Sequence, residues 1–155
     1  MSTKQLKLLW TLTIAALLVM LLYLANHLSA LMDIDESKMP GCTMEQGSCT
    51  VTLSSGDSVR LSVSPWPVLA LKPVEFSIMA DNVRLTSAKL ALTGRTMYMG
   101  IHQYTLRPFS DSNTLAVNGT ISVCTEKVMP WRGRVELETD RGTEHIWFDF
   151  DVLQM

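Results

Sequence analysis

The sequence predicts an all-β domain, an immunoglobulin-like antiparallel β-sandwich, preceded by one N-terminal transmembrane helix. Three observations lead there. Apolar residues crowd the first thirty positions, with no charge between Lys7 and Asp33, whereas the remainder reads as water-soluble. Beyond residue 41, several segments alternate polar and apolar residues with the period of a half-buried strand. Turn-forming residues separate those segments at intervals of about ten positions, and none of them has the spacing of an amphipathic helix.

Lys4 and Lys7 precede the apolar run, and no charged residue follows until Asp33. Only Trp10, Thr11, Thr13 and Tyr23 interrupt Leu8 to Ala25, and the segment continues through Asn26, His27 and Ser29 to Met32. Roughly 20 apolar residues cross a bilayer core as a helix, so residues 8–32 are expected in lipid. Lys4 and Lys7 on one side, and Asp33, Asp35 and Glu36 on the other, place the N-terminus in the cytoplasm and the domain outside. A cleaved signal peptide is the alternative, with Leu28-Ser29-Ala30 as a small-residue cleavage site, but the apolar region is longer than a signal normally carries. Either route exports the domain. His27 is read as an interfacial histidine facing water.

The expected organisation is therefore a cytoplasmic tip and anchor over 1–32, a linker and cysteine-bounded entrance loop over 33–49, and the sandwich over 50–155. Met39-Pro40-Gly41 breaks any helix at the end of the linker. Ser58 to Ser64 alternates without a fault and stops at Pro65-Trp66-Pro67. Val74, Phe76, Ile78 and Ala80 mark a second strand, and Ala88, Leu90 and Leu92 a third that ends at Thr93-Gly94. Leu115 and Val117 are separated from Ile121 and Val123 by Asn118-Gly119, the signature of a tight hairpin. Val135 and Leu137 precede a turn at Asp140-Arg141-Gly142, after which Ile146, Phe148, Phe150 and Val152 line one face of a last strand. His145 shares the opposite face with Trp147 and Asp149 and is expected to meet solvent. Trp66, Trp131 and Trp147 are read as core or sheet-face aromatics.

The chain has three cysteines, Cys42, Cys49 and Cys124. An exported domain meets oxidising conditions, so one disulfide and one remaining thiol are expected. A Cys42–Cys49 bridge would close a small loop, with Gly47 easing the turn, for about 2.5 kcal/mol on the chain-entropy estimate. A bridge from either of them to Cys124 is the rival. The spacing of Cys42 and Cys49 is not the CxxC of thiol oxidoreductases.

The ten methionines include Met97 and Met99, two positions apart in Thr96-Met97-Tyr98-Met99-Gly100. In a strand both thioethers would project from one face. His102 has the opposite parity and joins them only if Gly100 bulges or turns the chain. Cys124 and Met129-Pro130-Trp131 follow downstream. Thioether, thiolate and imidazole are the ligands soft Cu(I) prefers, and a thioether needs no deprotonation. A tryptophan ring beside such a site could shield the metal through a cation–π contact. The pattern supports a Cu(I) site from Met97, Met99 and Met129, completed by Cys124 or His102. The same residues also serve as ordinary core filling, because methionine packs irregular gaps and a lone cysteine behaves as a small apolar residue.

Other function classes find little in the sequence. All fifteen acidic residues lie from Asp33 onward, together with every basic residue except Lys4 and Lys7. This mildly acidic region has no basic stripe, which argues against nucleic-acid binding. No Gly-x-Ser-x-Gly, HExxH, P-loop or dinucleotide fingerprint occurs, so neither an enzyme nor a small-molecule substrate is expected. The carboxylates are read as solvated charges. Asn118-Gly119-Thr120 is formally a glycosylation sequon, read here as turn chemistry.

The combination resembles small bacterial membrane-anchored proteins of the FixH type, YtkA-like proteins, and uncharacterised proteins that accompany Sco-type copper chaperones. The residues that carry the resemblance are the N-terminal anchor and the Cys42/Cys49 pair. To these are added Leu92-Thr93-Gly94 running into Met97-Tyr98-Met99-Gly100, and Cys124 with Met129-Pro130-Trp131. The resemblance implies a β-sandwich in the periplasm, held at the bacterial inner membrane by a single pass and tied to copper handling or haem-copper oxidase assembly. A copper chaperone or an oxidase subunit would be its partner, and Met97, Met99, Cys124 and Met129 would be the ligands. The chain departs from the FixH type in having the Cys42/Cys49 pair, and His102 stands in no His-x-Met pair. The alternative function is a non-metal structural or interaction module, an accessory subunit of an envelope complex.

Overall fold

The computed structural model describes residues 3–32, 38–109, 113–122 and 125–154, and within the helix the side chains of Gln5, Lys7 and residues 9–24. It forms two compact units, Met1–Asp35 and Glu36–Met155. The first is one helix, α1 (Thr3–Met32), of 30 residues. It contains neither glycine nor proline and is rich in leucine, which loses little rotamer freedom in a helix. At the α-helical rise it is about 45 Å long. The large apolar side chains from Leu9 to Leu24 are exposed. The hydroxyl of Thr13 is turned back onto the helix, donating to the Trp10 carbonyl at 2.9 Å. Among the described residues no helix is long and apolar enough to cross a membrane. The anchor expected over 8–32 extends past the described side chains, which leave out His27 and the Leu28-Ser29-Ala30 site.

The second unit is all β. Its strands are β1 (Cys42–Thr43), β2 (Ser48–Thr52), β3 (Ser58–Ser64), β4 (Val68–Leu69), β5 (Pro73–Ala80), β6 (Leu85–Gly94), β7 (His102–Pro108), β8 (Thr114–Thr120), β9 (Val128–Thr139) and β10 (Gly142–Leu153). They are hydrogen-bonded in the order β1-β10-β9-β6-β7-β8-β5-β3-β2, with β4 also on β10. Two short pairings, β1–β10 and β4–β10, are parallel, and the long ladders are antiparallel. The sheet folds back at β7, which pairs with β6 from His102 to Leu106 and then with β8 at Arg107 and Pro108. At the opposite margin β1 and β2 are joined by the Cys42–Cys49 disulfide. One strand therefore closes one side of the two-layer body and one covalent bond closes the other.

The period-two pattern places the core between these layers. Val59, Leu61 and Val63 of β3, and Val74, Phe76, Ile78 and Ala80 of β5, are buried from one side. Leu90 and Leu92 of β6, Val135 and Leu137 of β9, and Ile146, Phe148 and Phe150 of β10 meet them from the other. Phe76 and Phe150 touch across the gap, edge to face at 6.1 Å. The cysteine-bounded loop, expected as an entrance to the domain, belongs to its body: Met44 is buried in the core and its N–H donates to the Asp149 carbonyl.

One sequence expectation fails here, and one condition set for the methionines is not met. Asn118-Gly119 makes no hairpin but lies within β8, opposite Glu75 and Val74. Gly119 is there because the Tyr104 ring crosses it: a Cβ at 119 would stand 2.6 Å from Cε1 of that ring, whose hydroxyl donates to the Thr120 carbonyl at 2.7 Å. The continuation expected at Val123 lies outside the described residues. Met97 and Met99 are not on a strand either, because β6 ends at Gly94 and the chain loops through 95–101 before β7.

Candidate functional site

The loop 95–101 sits at one end of the sandwich, and glycines set both its limits. Gly94, the last residue of β6, pairs with Trp131 of β9. A side chain at 94 would collide with the Met129 methyl and would stand 2.5 Å from the Met97 carbonyl oxygen. The chain thus folds back over the position where Met129 ends. Gly100 has φ +78°, a conformation that favours glycine. This is the turn that brings His102 to the same end, opposite Leu92.

His102 packs perpendicular to Trp131 with ring centres 5.3 Å apart, and its Nε2 lies 3.1 Å from the Ser122 hydroxyl. Trp131 is fully buried, and its indole N–H has no hydrogen-bond partner among the described residues. The donors at this end differ in access. Met97 is 41% exposed, Met99 is half-buried against the core, and Met129 is only 1% exposed. Met129 is therefore not at the exposed edge that a surface site would use. Inward parity on β9, next to Trp131, is what buries it. Cys124 lies outside the described residues. Its neighbour two positions earlier, Ser122, is the residue that meets His102.

The chemistry concentrated here is soft. Met97 and Met99 lie in the loop and Met129 on β9, while the His102 imidazole stands against the Trp131 ring; thioether and imidazole are donor types that suit Cu(I). Among the described residues no group of three or more His, Cys, Asp or Glu side chains could hold a metal ion. A carboxylate- or imidazole-rich site for a harder cation is thus not found among them.

A charged cluster that no local sequence pattern announces lies beside this end. Asp149 was expected on a solvent face with His145; His145 is exposed, but Asp149 is 7% exposed and Arg132 only 2%. Arg132 donates to Asp149 through Nε to Oδ1 at 2.8 Å and Nη2 to Oδ2 at 2.9 Å. Arg95, the first residue of the methionine loop, donates to the same Oδ2 at 3.0 Å, and its backbone N–H donates to the Pro130 carbonyl. Arg132 Nη1 reaches the Lys38 carbonyl at 3.0 Å, while the Lys38 ammonium lies 5.0 Å from the centre of the Trp147 ring. The strap from Lys38 to Gly41 thereby covers this part of the outer face, and the Gly41 N–H donates to the Trp147 carbonyl. Strand parity alone could not reveal that a distant segment covers a nominally exposed row.

Compared with known proteins, the chain matches no protein-family model, and no curated protein is recognisably similar to it. The fold defines it as an all-β domain that follows one helix and carries a methionine-bearing loop between β6 and β7.

Proposed function

We propose that this chain is a single-pass bacterial inner-membrane protein whose periplasmic, immunoglobulin-like domain binds Cu(I) and assists copper delivery to, or assembly of, a respiratory oxidase. The ligands would be Met97, Met99 and Met129, completed by Cys124 or His102. Support for metal binding comes foremost from one approach: the Met97 backbone and the Met129 methyl, 32 positions apart in sequence, both lie against Gly94. Thioethers hold Cu(I) without competing protons and leave exchange with a partner open. On this reading the FixH-type and YtkA-like resemblance reflects a shared role.

Support for the membrane reading comes from α1. Its apolar side chains from Leu9 to Leu24 are exposed, and the sequence is uncharged from Leu8 to Met32. So large an apolar surface is stable only against lipid or another apolar partner. The flanking charges favour an N-terminus in the cytoplasm.

A second reading has its own observation, the burial of Met129. If that thioether is only core filling, the domain is a structural or interaction module, an accessory subunit of an envelope complex. Cu(I) titration of the full-length protein in detergent, against a colorimetric chelator, separates the two. Wild type is expected to take up one equivalent and a Met97→Leu/Met99→Leu variant to compete far less, because the exchange keeps volume and removes sulfur. Equal failure of two folded proteins to compete would favour the interaction module.

A further inference from the structure

We infer that Asp149 is the post on which the methionine loop hangs, and that Arg95 is the residue that positions Met97 and Met99 over Met129. The inference deepens the Cu(I) reading and rests on it for its functional meaning. Arg95 is the first residue after β6, so its placement sets the direction in which the loop leaves the strand. It is held at two points, by its backbone N–H on the Pro130 carbonyl and by its guanidinium on Asp149 Oδ2. Asp149 is itself well fixed: it lies within β10, accepts two hydrogen bonds from Arg132, and Arg132 also bonds the Lys38 carbonyl. A tether to a rigid carboxylate orders a short loop, because the ordering entropy is met before the metal arrives. The far end of the loop is turned by Gly100. Between these limits the Met97 backbone approaches Gly94 beside the Met129 methyl, and Met99 packs against the core, neither residue belonging to a strand.

Arg95 can be changed without opening the buried pair, since its side chain is partly exposed and Arg132 keeps Asp149 company. The test uses full-length protein in detergent, in wild-type, Arg95→Met and Arg95→Lys forms. Hydrogen exchange is measured on the metal-free protein, and Cu(I) affinity by chelator competition. In Arg95→Met, amides of 95–101 are expected to exchange about tenfold faster, the scale of losing one partly exposed charge-assisted bond. The β9 and β10 amides should keep their protection. Cu(I) affinity should fall by a similar factor, and Arg95→Lys should recover part of both losses. Unchanged loop exchange in Arg95→Met would overturn the tether. Faster exchange with unchanged Cu(I) affinity would overturn the positioning role. If wild type itself takes up no Cu(I), the metal reading falls, and the exchange result alone then decides whether Asp149 holds the loop.

Discussion

Arg132 and Asp149 face one another across the β9–β10 ladder and are joined by two parallel hydrogen bonds, Nε to Oδ1 at 2.8 Å and Nη2 to Oδ2 at 2.9 Å. Both side chains are almost wholly withdrawn from water. Removing one partner strands the other as a buried charge, which costs about 3–5 kcal/mol, whereas exchanging both for apolar residues of similar volume is often close to neutral. Asp149→Ala is thus expected to lower the stability of the full-length protein by that amount in urea titration. Arg132→Met/Asp149→Leu should lose much less. A double variant as unstable as the single one would show that the contacts to Lys38 and Arg95, rather than the uncompensated charge, dominate.

The Cys42–Cys49 bond joins the two sheet margins and holds the loop that carries Met44 into the core. Cys42→Ser/Cys49→Ser is expected to cost about 2.5 kcal/mol in chain entropy, plus some loss of Met44 packing. Without reductant, thiol labelling of the wild-type protein should modify Cys124 alone. Labelling of Cys42 or Cys49 would contradict the bond.

Most of the fold was legible because its long strands keep strict alternation. Ser58–Ser64, Val74–Ala80 and Ile146–Val152 bury the side chains that parity assigns to the core. Asn118-Gly119 misled because a glycine in a strand has two physical uses, and here the Tyr104 ring rather than a reversal of the chain requires it. Gly100 has the positive φ of a turn ahead of His102, and the Met97 carbonyl comes close to Gly94 beside the Met129 methyl. That Met129 is enclosed could not be read, since burial at a sandwich end depends on what the adjoining loop covers. Arg132 and Asp149 were illegible for a related reason. Their cover is Lys38, more than ninety positions away from Arg132, and no local pattern announces such a contact.

The anchor reading makes a prediction independent of copper. A charged side chain at a transmembrane helix centre costs about 2.5–3.5 kcal/mol of insertion free energy. Leu17→Arg should therefore shift full-length protein from the carbonate-resistant membrane fraction toward the soluble fraction. A periplasm-dependent reporter fused after Met155 should be active in wild type. A wild-type protein extracted by carbonate, with a silent reporter, would refute the single-pass topology.

Gly94→Ala tests the junction where strand, loop and Met129 meet. The added methyl collides with the Met129 methyl, the end of a flexible side chain that could move, but it also stands 2.5 Å from the Met97 carbonyl oxygen, which belongs to the backbone. Overpacking of this kind costs about 1–3 kcal/mol. Met129→Ala added to Gly94→Ala removes the first clash and leaves the second, while opening a cavity of its own, so it should not restore the loop. Urea titration should show the loss of stability. Hydrogen exchange should place the loosening at 95–101, with the β3–β5 ladder on the other layer unaffected. Were Gly94→Ala as stable as wild type with an unchanged loop, the close approach of Met97 to β6 would be wrong, and with it the convergence on which the Cu(I) reading rests.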